Sequence, residues 1–245
     1  MKKGLKVFLT AAIVISAVAC STSNDEVKEG AKEKVVETKE EPSVPKEYRN
    51  ALRSSETYSD MMHMSKQGIF DQLTSEYGDQ FDAEAAQYAI DNLDANYNEN
   101  ALKCGENYKK TMYMSKQGIY DQLTSEYGEK FDAEAAQYAI DNLNADYNEN
   151  ALKCGENYKK TMHMSKAKIY DQLTSENGEK FTAEQAQYAI DNIKGDYLEA
   201  ALESAKNYQE TMSMSKDAIY DQLVSDYGEK FTAEEAQYAI DNLDD

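Results

Sequence analysis

Histidine, cysteine and proline are nearly missing from this 245-residue chain, with two, three and two copies. The histidines, His63 and His163, stand 100 residues apart in a slot that elsewhere holds Tyr113 or Ser213. A position that accepts all three residue types reads as exposed and tolerant, so neither a catalytic nor a metal role is expected of it. Cys104 and Cys154 share another slot with Ser54 and Ser204, which points to a need for a small side chain. No disulfide is required there, and the two thiols lack the partner ligands of a zinc site. No apolar run is long enough to cross a membrane as a helix. Basic residues are also scarce. Without the three lysines of residues 1–19 the balance is 23 basic against 46 acidic, a net charge of −23. Such a chain repels nucleic acid and anionic headgroups and attracts basic partners.

The ends of the chain differ from its middle. Lys2, Lys3 and Lys6 precede an uncharged apolar run from Val7 to Ala19, which is the pattern of a secretory signal peptide over 1–19. The run closes on "SAVAC", so that Cys20 follows Ala17, Val18 and Ala19. This resembles a bacterial lipobox, in which the cysteine becomes the lipidated first residue. Ordinary cleavage, leaving Cys20 a free thiol, is the plainer alternative. Two acyl chains suffice to anchor a soluble domain, because each buried methylene contributes about 0.8 kcal/mol. Residues 20–46 are polar, charged and broken by Pro42 and Pro45, and cannot bury enough apolar surface to order themselves. They read as an acidic tether.

From there on the sequence repeats. "AQYAIDN" stands at 86–92, 136–142, 186–192 and 236–242. Aligned from residues 51, 101, 151 and 201 the units match without a gap, and the second and third differ at 11 of 50 positions. Such a period marks one supersecondary unit repeated. The expected units are 47–95, 96–145, 146–195 and 196–245, a whole number of copies. Each carries its own punctuation. Ser65, Ser115, Ser165 and Ser215 precede an apolar i, i+4 pair such as Ile119 and Leu123, which suits an N-cap. That helix is expected to run to about Tyr127 and to stop at Gly128 in a left-handed conformation, with Gly78, Gly178 and Gly228 alike. Asp82, Asp132, Thr182 and Thr232 should cap the next helix, with Gln185 and Glu235 completing capping boxes. The result is helix-turn-helix spacing.

Helical spacing then continues from Ala136 through Ile140, Leu143, Tyr147, Ala151, Cys154, Tyr158 and Met162. The stripe predicts that the third helix of one unit runs into the first helix of the next. A helix from Asp132 to Met162 would be roughly 45 Å long. Asn142, Asn144, Asn148 and Asn150 are weak helix formers and allow a kink there. The fold class expected is therefore all-α: tandem three-helix units, each containing an acidic helix-turn-helix, joined by shared long helices. Within "AQYAIDN", Ala86, Ala89 and Ile90 are core positions, Phe81 stands at the entrance, and Tyr88 can bury its ring with a wet hydroxyl. Gln87, Asp91 and Asn92 recur as strictly, either for capping or inter-helix hydrogen bonding or as a repeated polar surface.

Chemistry of other kinds finds no support. Helix-turn-helix shapes suggest DNA, but "TAEEAQYAIDNLDD" has no basic residue with which to approach phosphate. "DNLNADYNEN" alternates oxygen-bearing side chains yet lacks the central glycine and spaced glutamate of a calcium loop. The methionines of "TMxMSK", such as Met112 and Met114, read as plastic core filler at a helix junction. No catalytic constellation, metal site or cofactor is expected, and thin three-helix units offer little room for a cleft.

A lipobox cysteine, an acidic tether and repeats of the form "ALxxAxxYxxTMxMSKxxIYDQLxSxYGEKFTxEEAQYAIDNL" together resemble the Ltp family of host-cell-surface-exposed lipoproteins of Gram-positive bacteria and their prophages. The unit from Ala201 to Leu243 fits that pattern most closely. The resemblance implies superinfection exclusion: a phage adsorbs but fails to release its DNA, with the acidic repeats acting on the phage tape measure protein. It also implies a lipid on Cys20 that holds the protein on the extracellular face of the cytoplasmic membrane. A monomer, no nucleic acid and a basic protein partner are expected. The strict recurrence of the acidic third helix nominates Glu84, Gln87 and Asp91 as a binding face, with Glu134, Gln137, Asp141, Glu184, Gln187, Asp191, Glu234, Gln237 and Asp241. The competing expectation is a structural or adhesive surface protein that binds a basic wall or host component.

Overall fold

The computed structural model describes residues 44–244. The expected signal peptide, Cys20 and nearly all of the expected tether lie outside the described residues. Within them the chain folds as twelve α-helices and no strands. Three helices make a unit: α1 (Lys46–Asp60), α2 (Lys66–Thr74) and α3 (Ala83–Asn92). The next is α4 (Tyr97–Thr111), α5 (Lys116–Thr124) and α6 (Ala133–Asn142). Then come α7 (Tyr147–Met162), α8 (Lys166–Thr174) and α9 (Ala183–Asn192), and finally α10 (Leu198–Met212), α11 (Lys216–Val224) and α12 (Ala233–Asp241). In every unit the long first helix packs mainly on the third, and the short second helix wedges against both.

Local chemistry sets the starts of these helices. Ser65, Ser115, Ser165 and Ser215 each cap a second helix, the hydroxyl accepting from the N–H three residues on. Asp82, Asp132, Thr182 and Thr232 cap the third helices, and Thr182–Gln185 and Thr232–Glu235 form full capping boxes. The apolar i, i+4 pair then drives burial. Ile69, Leu73, Ile119, Leu123, Ile169, Leu173, Ile219 and Leu223 are all fully buried, each stabilising its unit by roughly 1.5–3 kcal/mol. Ala86, Ala89, Ala136, Ala139, Ala186, Ala189, Ala236 and Ala239 are likewise buried, and their small size lets the third helix lie close to the first. Phe131, Phe181 and Phe231 are buried while Phe81 is only half-buried.

Two expectations about helix ends fail. The second helices stop at Thr74, Thr124, Thr174 and Val224, three residues before Tyr127 in the case of α5, because Ser125 and its counterparts turn extended. The glycines that follow are not the left-handed residues. That conformation belongs to Gln80, Lys130, Lys180 and Lys230, each at φ 58°. Glycine is needed at Gly78, Gly128, Gly178 and Gly228 for a different reason. A Cβ at Gly128 would lie 2.3 Å from the backbone oxygen of Gln122, which the turn folds against.

The shared long helix is also broken. Helix α6 ends at Asn142, Leu143 goes extended at ψ 118°, and α7 begins at Tyr147. The break has local causes. The Asn142 amide donates to the Tyr138 carbonyl at 2.8 Å, closing the old helix. Asp146 accepts from the N–H groups of Asn148 and Glu149 and opens the new one. These short polar side chains compete with helical bonding and favour ends over interiors. The Lys109 ammonium, from the first helix of the same unit, holds the linker by donating to the Asn144 carbonyl at 2.6 Å. The apolar stripe is consequently divided. Leu143 and Tyr147 pack on the second unit's core, while Ala151, Cys154 and Tyr158 belong to the next.

The units are clasped to their neighbours by contacts that recur at the same spacing. Ser65, Ser115 and Ser165 use their hydroxyl protons on the carbonyls of Glu129, Glu179 and Glu229 in the following unit. Lys130, Lys180 and Lys230 reach back to Asp71, Asp121 and Asp171. Buried Asn100 donates to Ser59 Oγ at 3.0 Å and to the Met64 carbonyl at 3.1 Å, and buried Asn150 to the Met114 carbonyl at 2.9 Å. The last junction replaces the amide with buried Ala200, and there the third and fourth cores merge into one apolar cluster.

Candidate functional site

The third helices present one face inward and one outward. Ala86, Ala89 and Ile90 face the core, so the helical period puts Glu84, Gln87 and Asp91 on the solvent side. All twelve nominated residues are exposed: Glu84, Gln87 and Asp91 on α3, Glu134, Gln137 and Asp141 on α6, Glu184, Gln187 and Asp191 on α9, and Glu234, Gln237 and Asp241 on α12. Glutamine and aspartate are tied together in each unit. The amides of Gln87, Gln137, Gln187 and Gln237 donate to Asp91, Asp141, Asp191 and Asp241 at 2.7, 2.8, 2.8 and 2.8 Å. An exposed i, i+4 bond of this kind contributes about 0.2–0.5 kcal/mol. It points one carboxylate oxygen at the glutamine and leaves the other to solvent. Asn92, Asn142, Asn192 and Asn242 all donate to the tyrosine carbonyl four residues back at 2.8 Å, which ends the helix. They cap the helix end, as one alternative had it, and make no bond to another helix there.

Gln87 also borders an open groove of about 370 Å³ between the first two units, with Lys66, Phe70, Lys130 and Phe131. Gln137 borders its equivalent between the second and third, with Lys116, Tyr120 and Lys180. The acidic helix faces are therefore separated by lysines at the unit junctions.

The remaining sequence candidates find structural places. His63, Tyr113, His163 and Ser213 are the left-handed residues (φ 51–54°) that join the first helix to the second. The tolerant slot is thus a backbone position, and its carbonyl has a task. Cys104 donates to His63 O at 3.4 Å, Cys154 to Tyr113 O at 3.4 Å and Ser204 to His163 O at 3.1 Å. The cysteine slot accordingly wants a small donor, not merely a small residue. Burial, reinforced by the carboxylates of Glu129 and Glu179, pushes the Cys104 and Cys154 thiols up to about 12. They remain protonated and poorly reactive at neutral pH. Met114 packs on the core as expected of filler, whereas Met112 is exposed, as are Met62, Met162 and Met212.

Sequence reasoning missed a set of tyrosine–carboxylate bonds. Tyr58 donates to Asp79 at 3.0 Å, Tyr108 to Glu129, Tyr158 to Glu179 and Tyr208 to Glu229 at 2.7 Å, tying each first helix to its helix-turn-helix loop. Burial and the acceptor carboxylate raise these phenols above their ordinary range. The 21-residue spacing of a repeated tyrosine and a repeated acid was the available signal. Among the described residues no group of three or more His, Cys, Asp or Glu could hold a metal ion, and no helix is long and apolar enough to cross a membrane.

Clasped three-helix units, repeated in tandem with an acidic outward helix in each, define an all-α tandem-repeat protein. The sequence model described as host cell surface-exposed lipoprotein matches four times, at residues 46–93, 96–143, 146–193 and 196–243, and the chain belongs to that family. Among solved structures it is similar to Ltp, a superinfection exclusion protein from the Streptococcus thermophilus temperate phage TP-J34. The identity is 41%, covering 41% of this chain and 98% of that one, with a TM-score of 0.38. No curated protein matches the chain.

Proposed function

We propose that this protein mediates superinfection exclusion from the outer face of a Gram-positive cytoplasmic membrane, anchored by lipid on Cys20. In this reading the repeats engage the tape measure protein, or another basic protein, of an incoming phage and block DNA entry. Family membership supports surface display. The observation that carries the partner's chemistry is the fourfold outward face of Glu84, Gln87 and Asp91 and their counterparts, on a chain of net charge −20. Four similar acidic faces on one tether raise the local concentration of weak sites, so modest affinity per unit becomes useful avidity. Electrostatic steering also speeds capture of a basic segment.

The test is a phage challenge of cells expressing the intact chain, with adsorption and cytoplasmic DNA entry scored separately. Normal adsorption with blocked entry, relieved by Cys20→Ala, is the expected result. Reversing the charge at Asp91, Asp141, Asp191 and Asp241 to lysine should abolish exclusion while helicity persists, since each lost surface bond costs only about 0.2–0.5 kcal/mol. Exclusion that survives the four reversals would sink the binding face.

A second reading, a spacer or adhesive surface protein, is favoured by the local bonding of Gln87 to Asp91 and of Asn92 to the Tyr88 carbonyl. Those bonds explain the recurrence of these side chains without a partner. Normal DNA entry across a broad phage panel would favour it.

A further inference from the structure

The helix-turn-helix loops hold an aromatic residue that the fold does not use. Tyr77, Tyr127 and Tyr227 stand at their tips, 99%, 89% and 102% exposed. The loop is held by other atoms. In the first unit Ser75 Oγ accepts from the Tyr77 N–H at 3.1 Å, and Gly78 N–H donates to Ser75 O at 3.0 Å. Asp79 N–H reaches Gln72 O at 3.1 Å and Phe81 N–H reaches Leu73 O at 2.9 Å. None of these bonds involves a tyrosine side chain.

The third unit supplies an internal control. It has Asn177 at this place and keeps every bond: Asn177 N–H to Ser175 Oγ at 3.1 Å, Gly178 to Ser175 O at 2.9 Å, Glu179 to Gln172 O at 3.1 Å and Phe181 to Leu173 O at 2.8 Å. Tyrosine in the other three units is therefore not required by the turn. It is a large ring left in water on a rigid mount, preceded by an exposed acid, Glu76, Glu126 or Asp226.

We propose that Tyr77, Tyr127 and Tyr227 are anchor residues that receive lysine or arginine side chains of a protein partner, each cation lying on the ring while the neighbouring carboxylate pairs with it. This rests on the basic-partner reading above and adds a second contact surface to it. Tyrosine offers wide contact area for the loss of only two side-chain torsions, and it is enriched among residues that dominate interfaces. A cation over an exposed ring is attracted by its negative face. The surrounding acidity selects against anionic partners.

The experiment uses the full chain in detergent micelles with a synthetic lysine–serine repeat peptide as probe, and a glutamate–serine peptide as control. The variant Tyr77→Asn/Tyr127→Asn/Tyr227→Asn copies the native third unit and should retain full helicity. It should bind the lysine peptide about tenfold more weakly, the three anchors acting together. The corresponding triple phenylalanine variant keeps the rings and should bind like the wild type, and Asn177→Tyr should tighten binding. Undiminished binding by the triple asparagine variant overturns the anchor role alone. Failure of the wild type to bind the lysine peptide overturns the basic-partner reading and the anchors with it. Loss of binding to wall polysaccharide by the asparagine variant, with peptide affinity unchanged, would assign the rings to sugar stacking and overturn the proposal.

Discussion

A single serine in each of the first three units does two jobs, and its chemistry separates them. Ser115 caps α5 by accepting from Gly118 N–H at 2.9 Å and satisfies the Glu179 carbonyl in the next unit with its own proton. Ser215, in the fourth unit, caps α11 by accepting from Ala218 N–H at 3.3 Å and meets no such carbonyl among the described residues. Loss of a cap costs about 1 kcal/mol, and leaving a partly buried acceptor without a donor adds about 1–3 kcal/mol. Ser115→Ala should therefore destabilise by roughly 2–4 kcal/mol and Ser215→Ala by about 1 kcal/mol, as read from urea unfolding. The half-buried thiols of Cys104 and Cys154 predict a pH dependence. Their folded pKa lies at about 12, above the unfolded value of about 8.5. Their contribution is intact below the unfolded value and is lost as pH rises toward 12, because the unfolded chain gives up the proton first. Stability should fall between about pH 8.5 and about 12. The fall should be smaller in Cys104→Ser/Cys154→Ser, which adopts the residue native at Ser204.

At the scale of the element, glycines of different kinds respond oppositely to alanine. In Gly128→Ala the new Cβ would meet a backbone oxygen at 2.3 Å. Backbone cannot step aside, so a loss above about 2 kcal/mol is expected. Gly105, inside α4, faces the Leu143 side chain, whose nearest carbon would lie 2.9 Å from the added Cβ. That flexible end can move, and Ala205 already fills the equivalent place beside Leu243 in the last unit. Gly105→Ala should stabilise by up to about 1 kcal/mol, since glycine is a poor helix former. Thermal unfolding of the two variants checks the contrast in sign. The same balance of local and packing forces explains the break after α6. A continuous apolar stripe satisfied the helical period across the linker, but Asn142 and Asp146 cap outward from it on either side.

For the whole molecule, the junctions decide whether four units behave as one body. The lysine–aspartate pairs at the junctions are partly exposed and contribute about 0–1 kcal/mol each. The buried amides outweigh them, because removing one strands a carbonyl. Asn150→Ala should destabilise by roughly 1–3 kcal/mol. It should also lower the denaturant dependence of unfolding, since an array with a weakened interface loses cooperativity between neighbours. An unchanged slope in urea would show that the serine and lysine contacts suffice. The junction with Ala200 has no such amide, and the Lys168–Glu229 pair at 2.8 Å and a merged apolar core hold it together instead.

The sequence by itself determined the repeat, the all-helical class, the caps at Ser65, Asp82 and their counterparts, and the outward placement of Glu84, Gln87 and Asp91. These follow from periodicity and from side chains that bond their own backbone within three or four residues, and such short-range physics is readable in one dimension. Tertiary structure alone decided where the second helices stop, because the turn glycine is demanded by a backbone oxygen six residues away and the left-handed residue comes two positions later. It also decided the contacts between units. Ser65 meets Glu129, and Asn100 meets Ser59 and Met64, across separations of 36 to 64 residues. Those pairings exist only once packing has set the angle between neighbouring bundles, and no local preference of either partner encodes them.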